Sequence, residues 1–392
     1  MAFEVWSWIW PLYIAGAFAC AAIAGRVALS FLPPGRVGSH RGRDAATTLA
    51  TSLVLGLPCW AWPISLIERQ LDHYSPVGFA EALLATATVT AAWLVVGLAR
   101  WRLGPHAIVP QREIVLPRPM WTTLPILAAC TVPLWRVSVV SWWSALSLVL
   151  VSEFALRGFD LARRPPVATT LVVLAIVAGL QLDPWAGLAA PAVPVAAGAA
   201  FSIEWLRRAD RRALWLAAIA FALSSAWSNV LWIAGLASLI GATHRNARGA
   251  AWRACGFATL VVVLKQLTSM NDVRMFRASG EHGASPVAAL ASLGPWAAIW
   301  IACGVGVVAA LAGLNGGAMR VRSGDPPTRE TRAVAVFVAA ALALYAIESA
   351  IPGREMLALR TDWSALLATL LPAGALVFGL AFLPVARSGH AT

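Results

Sequence analysis

The stretch ALWLAAIAFALSSAWSNVLWIAGLASLIGAT, residues 213–243, decides how this chain folds. It runs for 31 residues without a charge, whereas about 20 apolar residues are enough to cross a bilayer as a helix. Arginine-rich turns flank it, RRADRR at 207–212 and HRNARGAAWR at 244–253. If both turns face the cytoplasm, the stretch forms two short helices that meet near Ser224 to Asn229, or a re-entrant pair. A single long tilted helix is the alternative, and it would invert every later segment.

The composition extends this apolar character to the whole chain. Of 392 residues, 59% are hydrophobic and 12% are charged, whereas soluble domains carry about 25% charged residues. Long apolar runs recur from end to end, and no gap between them could hold a soluble domain. Inside lipid the backbone must bond to itself, and these runs do not alternate as barrel strands do. The sequence therefore predicts an all-α polytopic integral membrane bundle of about 11–13 transmembrane segments.

Charge predicts the orientation of this bundle. We expect a single integral membrane domain over 1–392, in which 1–119 could form an N-terminal helical part and 120–392 a second part. Of the 30 Lys and Arg residues, 23 fall in turns assigned to the cytoplasm and seven lie outside, which is the asymmetry of the positive-inside rule. This places the N-terminus outside and the C-terminus inside, in a bacterial inner membrane. The net charge of +12 then faces anionic lipids rather than nucleic acid.

The polar stretch KQLTSMNDVRMFRASGEHGASP, residues 265–286, is the longest on the predicted outer side, and it begins with the only lysine of the chain. Arginine and lysine are the side chains that bind phosphate groups. We therefore predict that this loop and a later outer turn bind the substrate. The predicted binding residues are Lys265, Asp272, Arg274, Arg277 and Arg360. Pairing with neighbouring carboxylates is the alternative for each of them.

Carboxylates also concentrate on the predicted outer side. Glu68 and Asp72 lie in the turn ERQLDHYSP and are candidate general bases, with divalent-cation binding as the other possibility. Glu81 and Glu348 lie just inside the outer ends of their spans without a charged neighbour in sequence. A solvated turn residue is the alternative for each of the four.

Two more carboxylates fall near the predicted cytoplasmic ends of spans. Glu204 precedes Arg207 and Arg208, and Glu153 lies four residues before Arg157. Residues three or four apart are neighbours on a helix. We expect both carboxylates to pair along their own helices and to have structural roles.

Several cofactor chemistries have no support in the sequence. No histidine falls inside a predicted span, so we expect no haem between the helices. The chain has neither a GxxxxGK[ST] phosphate loop nor an HExxH zinc motif. No metal ligands are assigned, and a divalent cation on the outer carboxylates is the remaining cofactor hypothesis.

One region resembles a known family. Residues 167–243 contain an apolar helix that ends in LQLDPW, a return to the arginine-rich turn EWLRRADRR, and the uncharged pair that follows. This layout resembles the middle helices of membrane glycosyltransferases of the C-type fold, which take sugars from polyprenyl phosphate carriers at the outer face. The resemblance implies the same substrate class here. The nearest acidic outer turn holds Glu68 and Asp72, which stand in for the catalytic acids of that family.

Three functions follow from these observations. The first is a glycosyltransferase acting on a lipid-linked sugar or envelope glycan, with membrane lipids and a polyprenyl-phosphate sugar as partners. The second is a transporter or flippase, because helix breaks at Pro58/Pro63, Pro191/Pro194 and 224–229 are typical of transporter sites. The third is a non-catalytic subunit of a larger membrane complex with protein partners.

Overall fold

The computed structural model describes residues 2–33, 44–72, 79–103, 120–136, 139–181, 189–269, 297–312, 329–350 and 363–385. Within these ranges the chain forms 13 α-helices and three short 3-10 helices, and no β-strand occurs in them. The all-α prediction is confirmed for this part of the chain. Six of its helices are long and apolar enough to cross a membrane by length and composition.

The chain divides into two compact units, Met1–Leu116 and Pro117–Thr392. The N-terminal unit contains α1 (Ala2–Phe31), α2 (Asp44–Asp72) and α3 (Phe79–Leu103). Two tryptophans on facing helices join α2 to α3. The indole N–H of Trp60 donates to Thr90 Oγ1 at 3.0 Å, and that of Trp93 donates to the Cys59 carbonyl at 3.1 Å. These bonds satisfy polar groups that would otherwise be left unpaired among apolar side chains.

Two glycines set the crossing of α1 and α2. A Cβ atom at Gly25 would lie 1.7 Å from the carbonyl oxygen of Ser52, and one at Gly56 would lie 1.7 Å from that of Ala21. Any side chain at either position would therefore push the helices apart. Small residues allow this close approach between apolar helices, where van der Waals packing stabilises the pair.

The C-terminal unit contains ten α-helices in its described part. In chain order they are α4 (Met120–Thr131), α5 (Val139–Leu161), α6 (Pro166–Gln181), α7 (Ala189–Arg208), α8 (Arg211–Leu223), α9 (Asn229–Ala242), α10 (Arg248–Ser269), α11 (Ala297–Ala312), α12 (Arg329–Ala350) and α13 (Trp363–Phe382). Helices α7 and α13 form the centre, because every residue of 191–205 and of 366–377 is buried. Both stretches contain small Ala and Gly residues, which let neighbouring helices pack closely around them.

Helices α8 and α9 form a hairpin. They have 13 and 14 residues, so each is about 20 Å long. The 3-10 turn Ser224–Ala226 joins them, and the Ser224 hydroxyl bonds back to the Phe221 carbonyl at 2.6 Å. Such bonds give the backbone an alternative to continuing the helix. The interpretation of 213–243 as two short helices is confirmed.

A hydrogen bond fixes the direction of this hairpin. Trp205, near the end of α7, donates its indole N–H to the Thr243 hydroxyl at 3.1 Å. Thr243 caps the end of α9, and α8 begins three residues after α7 ends. The start of α8 and the end of α9 therefore lie at the same end of the unit. A single long helix over 211–242 is excluded.

Phe221 of α8 anchors the hairpin in the bundle. Its ring lies over two glycines, so that a Cβ would be 2.7 Å from a ring atom at Gly198 of α7 and 2.3 Å away at Gly235 of α9. On another side, the ring of Phe337 of α12 lies 4.8 Å away between centroids. The aromatic side chain thus joins α7, α9 and α12 to α8.

Candidate functional site

An ion network occupies one end of the C-terminal unit, which we call the arginine end. Arg157 of α5 binds Glu204 of α7 with two nitrogens, Nε to Oε2 at 3.1 Å and Nη2 to Oε1 at 2.8 Å. The Glu204 side chain is only 3% exposed. Arg208 adds a contact to Glu204 at 3.4 Å, and Arg207 binds Glu330 of α12 at 3.0 Å. The network therefore ties α5, α7 and α12 together.

Arg164 extends this network to α13. Its guanidinium donates to the carbonyls of Leu380, at 2.6 Å, and Leu383. The last carbonyls of a helix lack partners within it, and a cation there is favourable. Burial, with the neighbouring charge of Arg207, lowers the pKa of Arg164 to about 10. The side chain stays charged at neutral pH and caps α13.

The expected pairing of Glu204 along its own helix is right for Arg208 and wrong for Arg207. The two-nitrogen partner is Arg157, 47 residues earlier in the chain, and Arg207 turns to Glu330 instead. Sequence spacing identifies neighbouring residues on one helix. It does not identify the residues of another helix that packs against it. Because these charges are matched by partners within the fold, we assign the arginine end a structural role.

The helix directions place two other ionisable side chains at the opposite end of the unit. Glu330 lies in the first turn of α12, so α12 runs away from the arginine end. Helix α10 begins beside the end of α9 and runs the same way. Lys265 lies in the second-last turn of α10, and Glu348 lies in the last turn of α12. Both are therefore far from the arginine network.

The tip of the hairpin lies at the level of these side chains. Asn229, the first residue of α9, accepts a hydrogen bond on Oδ1 from Gln266 of α10 at 2.8 Å. Helix α9 packs antiparallel to α12, with Ser238 and Phe337 on one small cavity. Asn229 lies nine residues before Ser238 in α9, and Tyr345 lies eight residues after Phe337 in α12. Because the two helices are antiparallel, Asn229 and Tyr345 lie at about the same level. Lys265 therefore lies level with the tip, and Glu348 lies just under one turn beyond it.

Ser228 precedes α9 at this tip and is fully buried, with 0% exposure. Its hydroxyl has no hydrogen-bond partner in the part of the chain that the structure describes. Serine at this position normally accepts a bond from the first-turn N–H groups, but Ser228 makes no such bond. A buried hydroxyl and the start of a helix thus meet at one point.

Glu348 is a second polar group without a partner. Both of its carboxylate oxygens are buried, and neither has a hydrogen-bond partner among the described residues. A carboxylate in this state is costly unless a ligand, a proton or a cation joins it. The ring of Tyr345, three residues earlier, packs edge-on against Trp363, with 4.7 Å between the ring centroids.

The residues predicted from sequence fall in different parts of the protein. Glu68 and Asp72 lie one helical turn apart in the last turns of α2, in the N-terminal unit. Lys265 lies in α10 of the C-terminal unit. The remaining predicted binding residues, Asp272, Arg274, Arg277 and Arg360, lie outside the described residues.

Sequence reasoning noted Glu348 but missed Ser228. The available signal was the polar cluster SSAWSN at 224–229 within a long apolar stretch. That cluster predicted a helix break, but it did not show which hydroxyl would be buried without a partner.

Two other features of the described residues limit the chemistry. The cavity beside Ser238 measures about 10 Å³, which is room for about one water molecule, so it is not a substrate site. No group of three His, Cys, Asp or Glu side chains within the described ranges could hold a metal ion. Divalent-cation binding therefore stays a prediction.

The fold of the described residues is an all-α helical bundle with a hairpin of two short helices. No family model, curated protein or solved structure matches this chain. The resemblance to membrane glycosyltransferases of the C-type fold therefore stays a prediction.

Proposed function

We propose that the chain is a multi-pass protein of the bacterial inner membrane that transfers a sugar from a lipid-linked phosphate at the outer face. Six helices of suitable length and apolarity support membrane insertion. The arginine end faces the cytoplasm by the positive-inside rule. The opposite end, with Lys265 and Glu348, then faces outward, in keeping with the predicted cytoplasmic C-terminus.

The observation that carries this proposal is that a carboxylate and a cation both lie at the outward end. Glu348 is a carboxylate with both oxygens buried and without a partner among the described residues. Lys265 provides a cation at the level of the hairpin tip. Charged groups in apolar helices are costly and usually functional. A base and a cation are the groups that transfer from a phosphate carrier requires.

In the proposed step, Glu348 takes the proton of the acceptor hydroxyl. The acceptor oxygen bonds to the anomeric carbon of the sugar, and the bond from that carbon to the phosphate oxygen breaks. The lipid phosphate leaves with the electron pair, and Lys265 stabilises its charge. Asp72 or Glu68 in the N-terminal unit remains the base proposed from sequence, and Asp272, Arg274, Arg277 and Arg360 remain proposed contacts to the substrate.

The test is sugar transfer from a labelled polyprenyl-phosphate sugar in membranes that contain the full chain. We expect Glu348→Gln to lower the rate by about 100-fold or more, the usual contribution of a general base. The protein should stay as stable as the wild type, because Gln has the same shape without the unpaired charge. Glu81→Gln, which alters an exposed carboxylate in α3, is the matched control and should transfer normally.

The two candidate bases give different results in this assay. Loss of transfer in the Glu68→Ala/Asp72→Ala double variant, with Glu348→Gln active, would move the base to the N-terminal unit. Wild-type transfer in both variants, with normal amounts of folded protein, would contradict both base assignments. No transfer by the wild type would contradict the transferase.

A flippase is the second candidate, and the α8–α9 hairpin favours it. Interrupted helices that end inside the bundle are a common feature of transporter sites, and both helices of this hairpin are shorter than a span. Purified full-length protein in proteoliposomes would distinguish the two functions. Movement of a fluorescent polyprenyl phosphate between leaflets without any acceptor sugar would support the flippase.

A further inference from the structure

We infer that the tip of the α8–α9 hairpin binds a phosphate group, held by the first turn of α9, the Ser228 hydroxyl and Lys265. This inference rests on the proposed function for the source of the phosphate, which is a lipid-linked substrate. In this arrangement the hairpin tip holds the leaving phosphate, and Glu348 acts on the acceptor hydroxyl.

The start of α9 provides the first part of the site. The first N–H groups of a helix have no partner within it, and together they carry a partial positive charge that attracts anions. At most helix starts a side chain fills this position. Ser228 lies at the cap of α9 without bonding to it. The start of α9 is therefore free of its own cap.

Ser228 provides independent evidence for a ligand. The residue is fully buried, with 0% exposure, and its hydroxyl has no partner among the described residues. Buried polar groups in proteins almost always have a hydrogen-bond partner. A hydroxyl that neither caps its own helix nor bonds to a neighbour is explained if a bound group accepts its hydrogen.

Lys265 provides the cation. The bond of 2.8 Å from Gln266 to Asn229 joins α10 to the start of α9, so the adjacent Lys265 lies at the same level. Asn229 Oδ1 also accepts from the Trp232 indole at 3.0 Å, which turns the amide oxygen toward these donors. The tip is thereby fixed in position before a ligand binds, which lowers the entropy lost on binding.

The number and type of donors favour phosphate over carboxylate. Backbone N–H groups and a hydroxyl lie together at the start of α9, and Lys265 of α10 lies at the same level. A phosphate monoester has three charged or partly charged oxygens to accept from them, whereas a carboxylate has two. The donors also lie near the ends of α10 and α12 that the proposed orientation places toward the outer face.

The experiment measures binding to purified full-length protein in mild detergent by titration calorimetry. The probes are a short-chain polyprenyl phosphate and inorganic phosphate. We expect Lys265→Gln and Ser228→Ala each to weaken binding of the polyprenyl phosphate by about tenfold or more. Binding equal to wild type in both variants, or no binding of either probe by the wild type, would overturn the inference.

Two control variants are matched to these changes. Ser238→Ala changes a serine inside α9, whose hydroxyl bonds within that helix to the Gly235 carbonyl at 2.8 Å. Arg253→Gln removes an exposed charge at the start of α10. Both should bind the polyprenyl phosphate within about twofold of wild type. A loss in the controls as large as in Ser228→Ala would show a general effect on the fold and overturn the assignment.

Binding is measured without turnover, which separates this inference from the proposed function. Glu348→Gln should lose transfer and keep polyprenyl phosphate binding. If the wild type binds both probes through Ser228 and Lys265 but transfers no sugar, the phosphate site stands and the transferase is wrong. If only inorganic phosphate binds, the lipid-linked source is wrong.

Discussion

Two carboxylates in the C-terminal unit have opposite surroundings. Glu204 is almost fully buried and is held by Arg157 and Arg208. Glu348 has both oxygens buried without a partner among the described residues. A buried charge that is fully paired stabilises one arrangement of helices, whereas a buried charge without a partner is available for a proton or a ligand. The same side-chain type therefore has a structural role at one end and a proposed chemical role at the other.

Breaking the Arg157–Glu204 pair should destabilise the C-terminal unit. Glu204→Gln removes the negative charge that faces Arg157, whose side chain is partly buried at 16% exposure. We expect the free energy of unfolding to fall by about 3 kcal/mol, the usual cost of leaving one partner of a buried pair. Thermal unfolding in mild detergent, followed by tryptophan fluorescence, measures this change.

A double variant tests the physical reason for that loss. Replacing both partners, Arg157→Met with Glu204→Leu, should recover most of the stability, because two apolar side chains need no ion pairing. Arg253→Gln, at an exposed position, should unfold like the wild type. A double variant that is less stable than Glu204→Gln would contradict the reasoning.

For these charged residues, the sequence predicts only the contacts between residues on one helix. The spacing of Glu204 and Arg208 predicted their contact, which is present at 3.4 Å. The contacts of Arg157 and Arg207 join helices that are far apart in sequence. Their geometry depends on packing and rotation of whole helices, which no local pattern determines.

The decisive element is the hairpin of α8 and α9. The flanking arginine turns and the cluster SSAWSN predicted that residues 213–243 would break into two helices, and the helix bounds confirm it. The pattern could not predict what holds the hairpin in place. The Trp205–Thr243 bond and the position of Phe221 between two glycines are contacts between helices.

Replacing Gly235 by alanine tests this packing. A Cβ there would lie 2.3 Å from Cγ of Phe221, so Gly235→Ala must displace the ring. We expect a loss of about 1–3 kcal/mol in unfolding free energy, as for other overpacked cores. Polyprenyl phosphate binding should also weaken, because the ring positions the hairpin. The same fluorescence and calorimetry assays measure both effects.

Gly241 in the same helix is the matched control. A Cβ at this position would meet nothing within 4 Å. Gly241→Ala should be neutral or slightly stabilising, because alanine favours a helix over glycine by up to about 1 kcal/mol. Equal losses in the two variants would mean that helix flexibility, rather than contact with Phe221, explains the effect.

In the C-terminal unit, the ion network and the return of the α8–α9 hairpin together determine the direction in which each helix runs. The ion network gathers the ends of α5, α7 and α13 with the start of α12. The hairpin returns to that end, so α10 runs away from it. Composition and arginine positions predicted a helical bundle with this alternation. The apposition of Lys265 and the hairpin tip could not be predicted, because it depends on the length at which α8 stops.

Labelling of cysteines that are introduced one at a time tests the orientation directly. Arg211 and Arg245 are exposed at the two ends of the hairpin, and Ser269 ends α10. A membrane-impermeant maleimide should label Ser269→Cys in intact spheroplasts, whereas Arg211→Cys and Arg245→Cys should react only in inside-out vesicles. The wild type is the control, because its five cysteines are partly or fully buried. Labelling of both arginine positions from outside would invert the protein, place the phosphate site in the cytoplasm, and contradict transfer at the outer face.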